Sequence, residues 1–520
     1  MTHRVGPAFL LIVAATLCSA GIARWCMSSG IGVSPDSVVY LNAADSLLAG
    51  RGLRSIPFHF TPTLGNNEPL VSFPPTYPLL LALSGSLSTD RLNGAMWLHS
   101  ILFAANLCLV GVIVSLATAR SVWAVLCAIL LFLSSTSLLE IHTMAWSEPP
   151  FIFFLLLSVL LLLLHLRQPN YALLVGSSLA VGLAVTTRYA GVTILPPMLL
   201  TIFLVGIGRF RSRVRDALIL VGLGSLPLAA WLLRNVVEAD SATNRSLSFH
   251  PIELADYKTI ASSLLEFWLP FSGQPLVKGV LLFLCCGVVL RAIVLALRDR
   301  VRSEPPAKMN AAVGLLSGLF VITYLLFLIA YDSLADPAVE LSSRVFVPVP
   351  VFGIILAVSL MHRLTRAGER LKLTLGFLAL LLILVSVNFV HTASFAAERR
   401  SDGRGFTSRE WTDSATIHYL TSLPESRPLF SNAVDATHFL SGKTALRLPA
   451  KVDPTNGKQN AEFEREMNTL RNELIENRAV VVYFDKVTWR WYLPTRDELE
   501  HVYALPVLVR LDDGVIFGIE

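Results

Sequence analysis

Eleven apolar runs recur along the first three quarters of this chain, each long enough to cross a hydrocarbon core of about 30 Å as a helix of roughly 20 residues. They lie near residues 8 to 25, 95 to 118, 122 to 139, 149 to 166, 171 to 187, 190 to 207, 217 to 233, 277 to 297, 311 to 330, 345 to 361 and 373 to 391. A chain built this way folds as a polytopic all-α membrane protein, because helices satisfy their own backbone hydrogen bonds in lipid. Composition agrees: 54% of the 520 residues are hydrophobic and 15% charged, against about 25% charged in soluble domains.

The connecting segments predict orientation, since short cytoplasmic loops retain Lys and Arg. "RFRSRVRD" (209 to 216), "RDRVRSEPPAK" (298 to 308) and "HRLTRAGERLK" (362 to 372) are strongly basic, and Arg120 and Arg167 mark two tight turns. All five fall on one side if the N-terminus is cytoplasmic. The first loop (26 to 94), the turns at 140 to 148 and 188 to 190, the loops at 234 to 276 and 331 to 344, and everything after 392 then face outward. The first run has a basic start and small residues, so a cleaved signal peptide is an alternative; a retained helix is expected, with ten further spans behind it. The six cysteines lie in or beside apolar runs and read as packing residues. The net charge of +5 is accounted for by the cytoplasmic loops and calls for no nucleic-acid partner.

The character changes near residue 393. Residues 408 to 422 read as a helix followed by a Pro-marked break and a short strand. "AEFEREMNTLRNELIEN" reads as an amphipathic helix, "AVVVYFD" as a buried strand, and the terminus as a hairpin broken at Asp-Asp-Gly. The expected organisation is a transmembrane domain over 1–392 and a small extracytoplasmic α/β domain over 393–520. Trp411, Trp489, Trp491 and Tyr492 fit its core, with a carbohydrate site as the alternative.

Candidate chemistry clusters on the outer side. Asp36 follows the first span in a stretch with the spacing of an interfacial amphipathic helix. It reads as a capping acid near a helix N-terminus, or as a general base or electrostatic anchor in an outward cavity. The prolines around Tyr77 fix the entry to a second interfacial segment, 78 to 86. Glu148 begins the fourth span before two prolines; it either complements the helix dipole or binds substrate hydroxyls. Arg188 and Arg344 end and precede outer-side helix ends, as snorkelling anchors or as phosphate ligands whose planar forks suit phosphate oxygens. Lys278 reads as a snorkelling residue, and Asp332, Asp336 and Glu340 as loop acids that pair with Arg344. Tyr40, Tyr77 and His142 are secondary candidates for substrate contact. No HExxH, Walker loop or paired CxxC occurs, so zinc hydrolysis and nucleotide hydrolysis have no basis here.

Five stretches taken together, "PDSVVYLNAADSLLAGRGL", "FPPTYPLLLAL", "MAWSEPPFIFF", "TRYAG" and "SSRVFVPVPVF", resemble the GT-C membrane glycosyltransferases of the protein-mannosyltransferase and aminoarabinose-transferase type (glycosyltransferase family 39). The resemblance covers residues 1 to about 392 and, loosely, the tail. It implies a polyprenyl-phosphate-sugar donor and an envelope glycan, lipid or protein acceptor at the outer face of the bacterial cytoplasmic membrane. It also implies that Asp36 is the base that activates the acceptor hydroxyl, and it favours Arg344 over Arg188 as the phosphate ligand. Many relatives carry two adjacent acids where Asp36 is followed by Ser37, which weakens the case for a bound divalent metal. A lipid transporter or flippase is the main rival; it calls for ionisable groups and broken helices at mid-membrane. A non-catalytic envelope assembly protein is a further one.

Overall fold

The computed structural model describes residues 6–55, 68–251, 253–268, 275–299, 305–336, 341–366, 371–424, 427–454 and 457–519. Two compact units emerge: Met1–Ser28 with Val71–Arg400, and Ser29–Leu70 with Ser401–Glu520.

The first unit is helical and belongs to a multi-pass membrane protein. Among the described residues eight helices are long and apolar enough to cross a membrane, or nine if one bent pair counts as a single span. That is fewer than eleven full-length spans, and each shortfall has a local cause. The run at 122 to 139 bends by 61° between Val122–Leu133 and Thr136–Thr143, because Ser135 caps a new helix by accepting from the Leu138 N–H. The run at 190 to 207 is a 3-10 turn, Tyr189–Ile194, followed by a helix, Leu195–Val205. Pro196 and Pro197, lacking N–H donors, restart the helix there. The run at 171 to 187 makes a helix of only 17 residues, Tyr171–Thr187. Glu340 lies outside the described residues, as do the side chains of Lys278 and Asp336.

Hairpin neighbours pack in pairs: Glu148–Arg167 against Tyr171–Thr187, and Pro7–Cys26 against Arg91–Ala117. Close approach is written into the sequence at Gly191, where an added Cβ would lie 2.7 Å from the backbone of Ala184 and Val185. Only glycine lets the 3-10 turn fold back on the helix before it.

The second unit contains a five-stranded mixed sheet: β1 (Leu429–Ser431), β2 (Leu446–Arg447), β3 (Val480–Phe484), β4 (Val507–Leu511) and β5 (Gly514–Phe517), in the order β2-β1-β3-β5-β4. β1 runs parallel to β2 and β3, and β5 pairs antiparallel with β3 and β4. The helix Phe463–Glu476 buries Met467, Leu470 and Leu474 on one stripe, at i, i+3 and i+7, which places them against the sheet residues Val481, Val515 and Phe517. The helix expected over 408 to 422 is broken into Arg409–Thr412 and Ala415–Ser422. Ser414 caps the second piece while donating to Asp513. Trp411 is core, whereas Trp489 and Trp491 are 50% and 65% exposed; the inward position between them is taken by Arg490, which pairs with buried Asp435 at 2.8 Å.

Part of the segment that follows the first long helix, Ser29–Leu70, belongs to this unit. Val33 forms a parallel bridge with Gly405, the Phe406 N–H donates to Val33 O at 2.7 Å, and Thr407 Oγ1 donates to Ile31 O at 2.7 Å. His438 Nε2 meets Asn42 Oδ1 at 3.0 Å. The helix Pro35–Leu48 thereby sits with the C-terminal residues. It is capped by Ser34, whose hydroxyl exchanges hydrogen bonds with Ser37 in a capping box. Asp36 is a first-turn residue of that helix and not its cap.

Candidate functional site

Glu148 is 1% exposed although it is an acid. It opens the helix Glu148–Arg167, and the two prolines behind it leave the first turn short of N–H donors. The carboxylate takes its partners from elsewhere in the helical unit. Its Oε1 accepts from Arg188 Nη1 at 2.8 Å and from Arg344 Nε at 2.5 Å. Its Oε2 is buried and has no hydrogen-bond partner among the described residues.

Each arginine is placed by a chain reversal. Arg188 is the C-cap of Tyr171–Thr187, in extended conformation just before the Gly191 turn, and Nη1 also donates to Ser147 Oγ at 2.9 Å. Arg344 lies in the single turn Ser343–Phe346, which Tyr324 holds by donating its hydroxyl to Val345 O at 2.9 Å. Its guanidinium stacks on Trp146, 4.2 Å from the ring centroid. The arginine side chains are 21% and 20% exposed, so neither is as enclosed as the carboxylate they meet. Two guanidiniums converge on this one carboxylate, and planar donor forks of this kind are chemically suited to phosphate oxygens.

The remaining sequence candidates are distributed differently. Tyr77 is fully buried and its hydroxyl meets His99 Nε2 at 2.8 Å. His142 is fully buried, with Nδ1 on Leu138 O at 2.7 Å and Nε2 on the Asn106 amide at 2.9 Å. Both are core residues of the helical unit in this structure. Asp36 and Tyr40 belong to the second unit, and Tyr40 is 3% exposed. Among the described residues no three His, Cys, Asp or Glu side chains form a group that could hold a metal ion. Sequence reasoning singled out Glu148, Arg188 and Arg344 one by one and missed Trp146 and Ser147, which directly precede the acid and touch Arg344 and Arg188.

The chain is structurally similar over nearly its whole length to membrane glycosyltransferases of the GT-C class. One such structure is ArnT from Cupriavidus metallidurans in the apo state: TM-score 0.54 and 14% identity, covering 98% of this chain and 97% of that one. Another is the archaeal oligosaccharyltransferase AglB from Archaeoglobus fulgidus in complex with an inhibitory peptide and a dolichol-phosphate: TM-score 0.55 and 14% identity, covering 92% and 69%. A third is the mycobacterial arabinofuranosyltransferase AftD, with TM-score 0.51 and 13% identity over 92% of this chain and 35% of that one. No family profile matches the sequence, and no curated protein matches it.

Proposed function

We propose that this protein transfers a sugar from a polyprenyl-phosphate donor to a hydroxyl-bearing acceptor at the outer face of the bacterial cytoplasmic membrane. The observation that carries the reading is the pair of guanidiniums converging on one oxygen of a buried, half-satisfied carboxylate. AglB, a protein of similar fold, is known bound to a dolichol-phosphate, and a lipid-linked phosphate is the ligand this charge arrangement suits.

In this reading Arg344 and Arg188 hold the donor phosphate and stabilise the charge that grows on it as the sugar departs. Glu148 keeps the two arginines aligned, and its open Oε2 accepts a hydrogen bond from a sugar hydroxyl. Asp36, assigned by the resemblance of its loop, removes the acceptor's hydroxyl proton. The freed oxygen forms a bond to the anomeric carbon, the carbon–phosphate oxygen bond breaks, and the polyprenyl phosphate leaves with inversion. In this reading eleven crossings, counting the bent pair and the two short helices, separate a cytoplasmic N-terminus, the side favoured by the basic loops, from an extracytoplasmic segment 393–520.

The test is transfer of radiolabelled sugar from a panel of polyprenyl-phosphate sugars to envelope acceptors by purified protein. Arg344→Gln weakens donor use, and Asp36→Asn lowers turnover by about 100-fold or more with donor binding retained. Full transfer by a folded Asp36→Asn variant removes Asp36 from the chemistry. Absence of transfer from every donor tried overturns the reading and returns the transporter to first place.

A further inference from the structure

Glu148 projects from a turn that its own helix cannot hold. Ser147 makes no side-chain cap, Pro149 and Pro150 have no N–H, and Phe151 supplies the first helical bond, to Ser147 O at 3.1 Å. A carboxylate that must meet two guanidiniums on one oxygen tolerates little drift, so the turn from Met144 to Pro149 needs ties from outside.

Two buried polar side chains provide them. Asn106, 0% exposed in the helix Arg91–Ala117, donates through Nδ2 to Pro149 O at 3.0 Å and to His142 Nε2 at 2.9 Å. With Nε2 accepting, the His142 proton resides on Nδ1 and points at Leu138 O. The ring thus joins the helix Thr136–Thr143 to the amide that holds the start of Glu148–Arg167. At the other end of the turn, Arg399 is 2% exposed and is the largest fully buried side chain of the described residues. Its Nη2 donates to Thr143 O at 2.6 Å and its Nε to Thr143 Oγ1 at 3.3 Å. A buried arginine is costly to desolvate in a membrane protein and is ordinarily retained for what it holds.

We propose that Asn106 and Arg399 are positioning residues: a two-point tie that fixes the Met144 to Pro149 turn and thereby orients the Glu148 carboxylate toward Arg188 and Arg344. Its bearing on transfer rests on the donor-phosphate reading of that cluster.

The test uses the full-length protein in detergent with Asn106→Ala, the volume-keeping Asn106→Leu, and Arg399→Met. The first readout is labelling of Glu148 by a hydrophobic carbodiimide, quantified by mass spectrometry, with buried Asp299 as internal control; Asp299 is paired with Arg363 at 2.6 Å. Loss of either tie raises Glu148 labelling by about fivefold or more while Asp299 labelling holds steady, as local opening requires. An equal rise at both acids, or none at Glu148, overturns the proposal. The second readout is a double-mutant cycle in the transfer assay. Asn106→Ala lowers kcat by about 10–100-fold with donor KM within about threefold, and adds less than about twofold in a Glu148→Gln background. Multiplicative losses overturn it. If the wild type transfers nothing, the donor-site reading fails, and the labelling ratio still decides the tie.

Discussion

Replacing Glu148 by Gln takes one negative charge from between two positive ones and keeps the side chain's shape. Arg188 Nη1 and Arg344 Nε approach the same oxygen at 2.8 and 2.5 Å, so the two nitrogens lie within about 5 Å of each other and a phosphate they share sits about 6 Å from the carboxylate. A like charge at about 6 Å and an effective dielectric of about 20 opposes binding by about 3 kcal/mol. Partial exposure of the arginines and salt screening reduce that to about 1.5–2 kcal/mol. Glu148→Gln therefore binds undecaprenyl phosphate about 10–30-fold more tightly than wild type, while its transfer rate falls because the arginines lose their alignment. The assay is a titration of purified protein in detergent, followed by tryptophan fluorescence, since Trp146 stacks on Arg344. Unchanged or weaker binding by a folded Glu148→Gln variant would show that these guanidiniums do not hold the phosphate.

Arg344→Gln weakens undecaprenyl phosphate binding by about 10–100-fold, the worth of a charge-assisted hydrogen bond, and flattens the salt dependence measured in the same titration. Gly405→Ala, at a positive φ with Val33 O only 2.1 Å from the added Cβ, destabilises the second unit by about 2–3 kcal/mol, seen as earlier protease cleavage within residues 29–70. Glu500 is bound bidentately by Arg510 and also by Arg496; hydrogen bonds from these two arginines pull its carboxyl down to about 2. A lowered carboxyl stabilises the fold fully above its ordinary range and loses that contribution as pH falls toward 2. Glu500→Gln accordingly flattens the acid limb of an unfolding curve below about pH 4.5, monitored by fluorescence, with little change in slope above it.

Much of the helical unit was legible because lipid leaves apolar runs few alternatives, and the basic loops predicted a consistent orientation for them. What composition does not carry is where a run breaks. Ser135 and the Pro196–Pro197 pair are too short to interrupt the apolar runs that hold them, yet each changes the hydrogen-bond ladder and so the helix. Glu148, Arg188 and Arg344 were each visible as charges at the ends of apolar runs, but not their meeting on one oxygen, since positions 148 and 344 are far apart in the chain and only packing joins them. Asn106 left a readable signal, a lone amide inside an apolar span. Arg399 left none, because "AAERRSD" reads as an ordinary solvated helix end. Exposure of Trp489 and Trp491 follows from the Arg490–Asp435 pair, which reverses the usual inward place of the aromatic residues.

The second unit is assembled from two distant parts of the chain, with Thr407 and Ile31 bonded across a separation of 376 residues. At about 5–20 residues per second, the Asp36 helix is synthesised roughly 20–75 s before the turn at Gly405 to Thr407 that holds it. Until then it lacks those partners, while the helical bundle can already assemble. A premature stop between Asp402, where the last long helix ends, and Gly405 would therefore leave the helical unit intact with an Asp36 helix that never acquires its support.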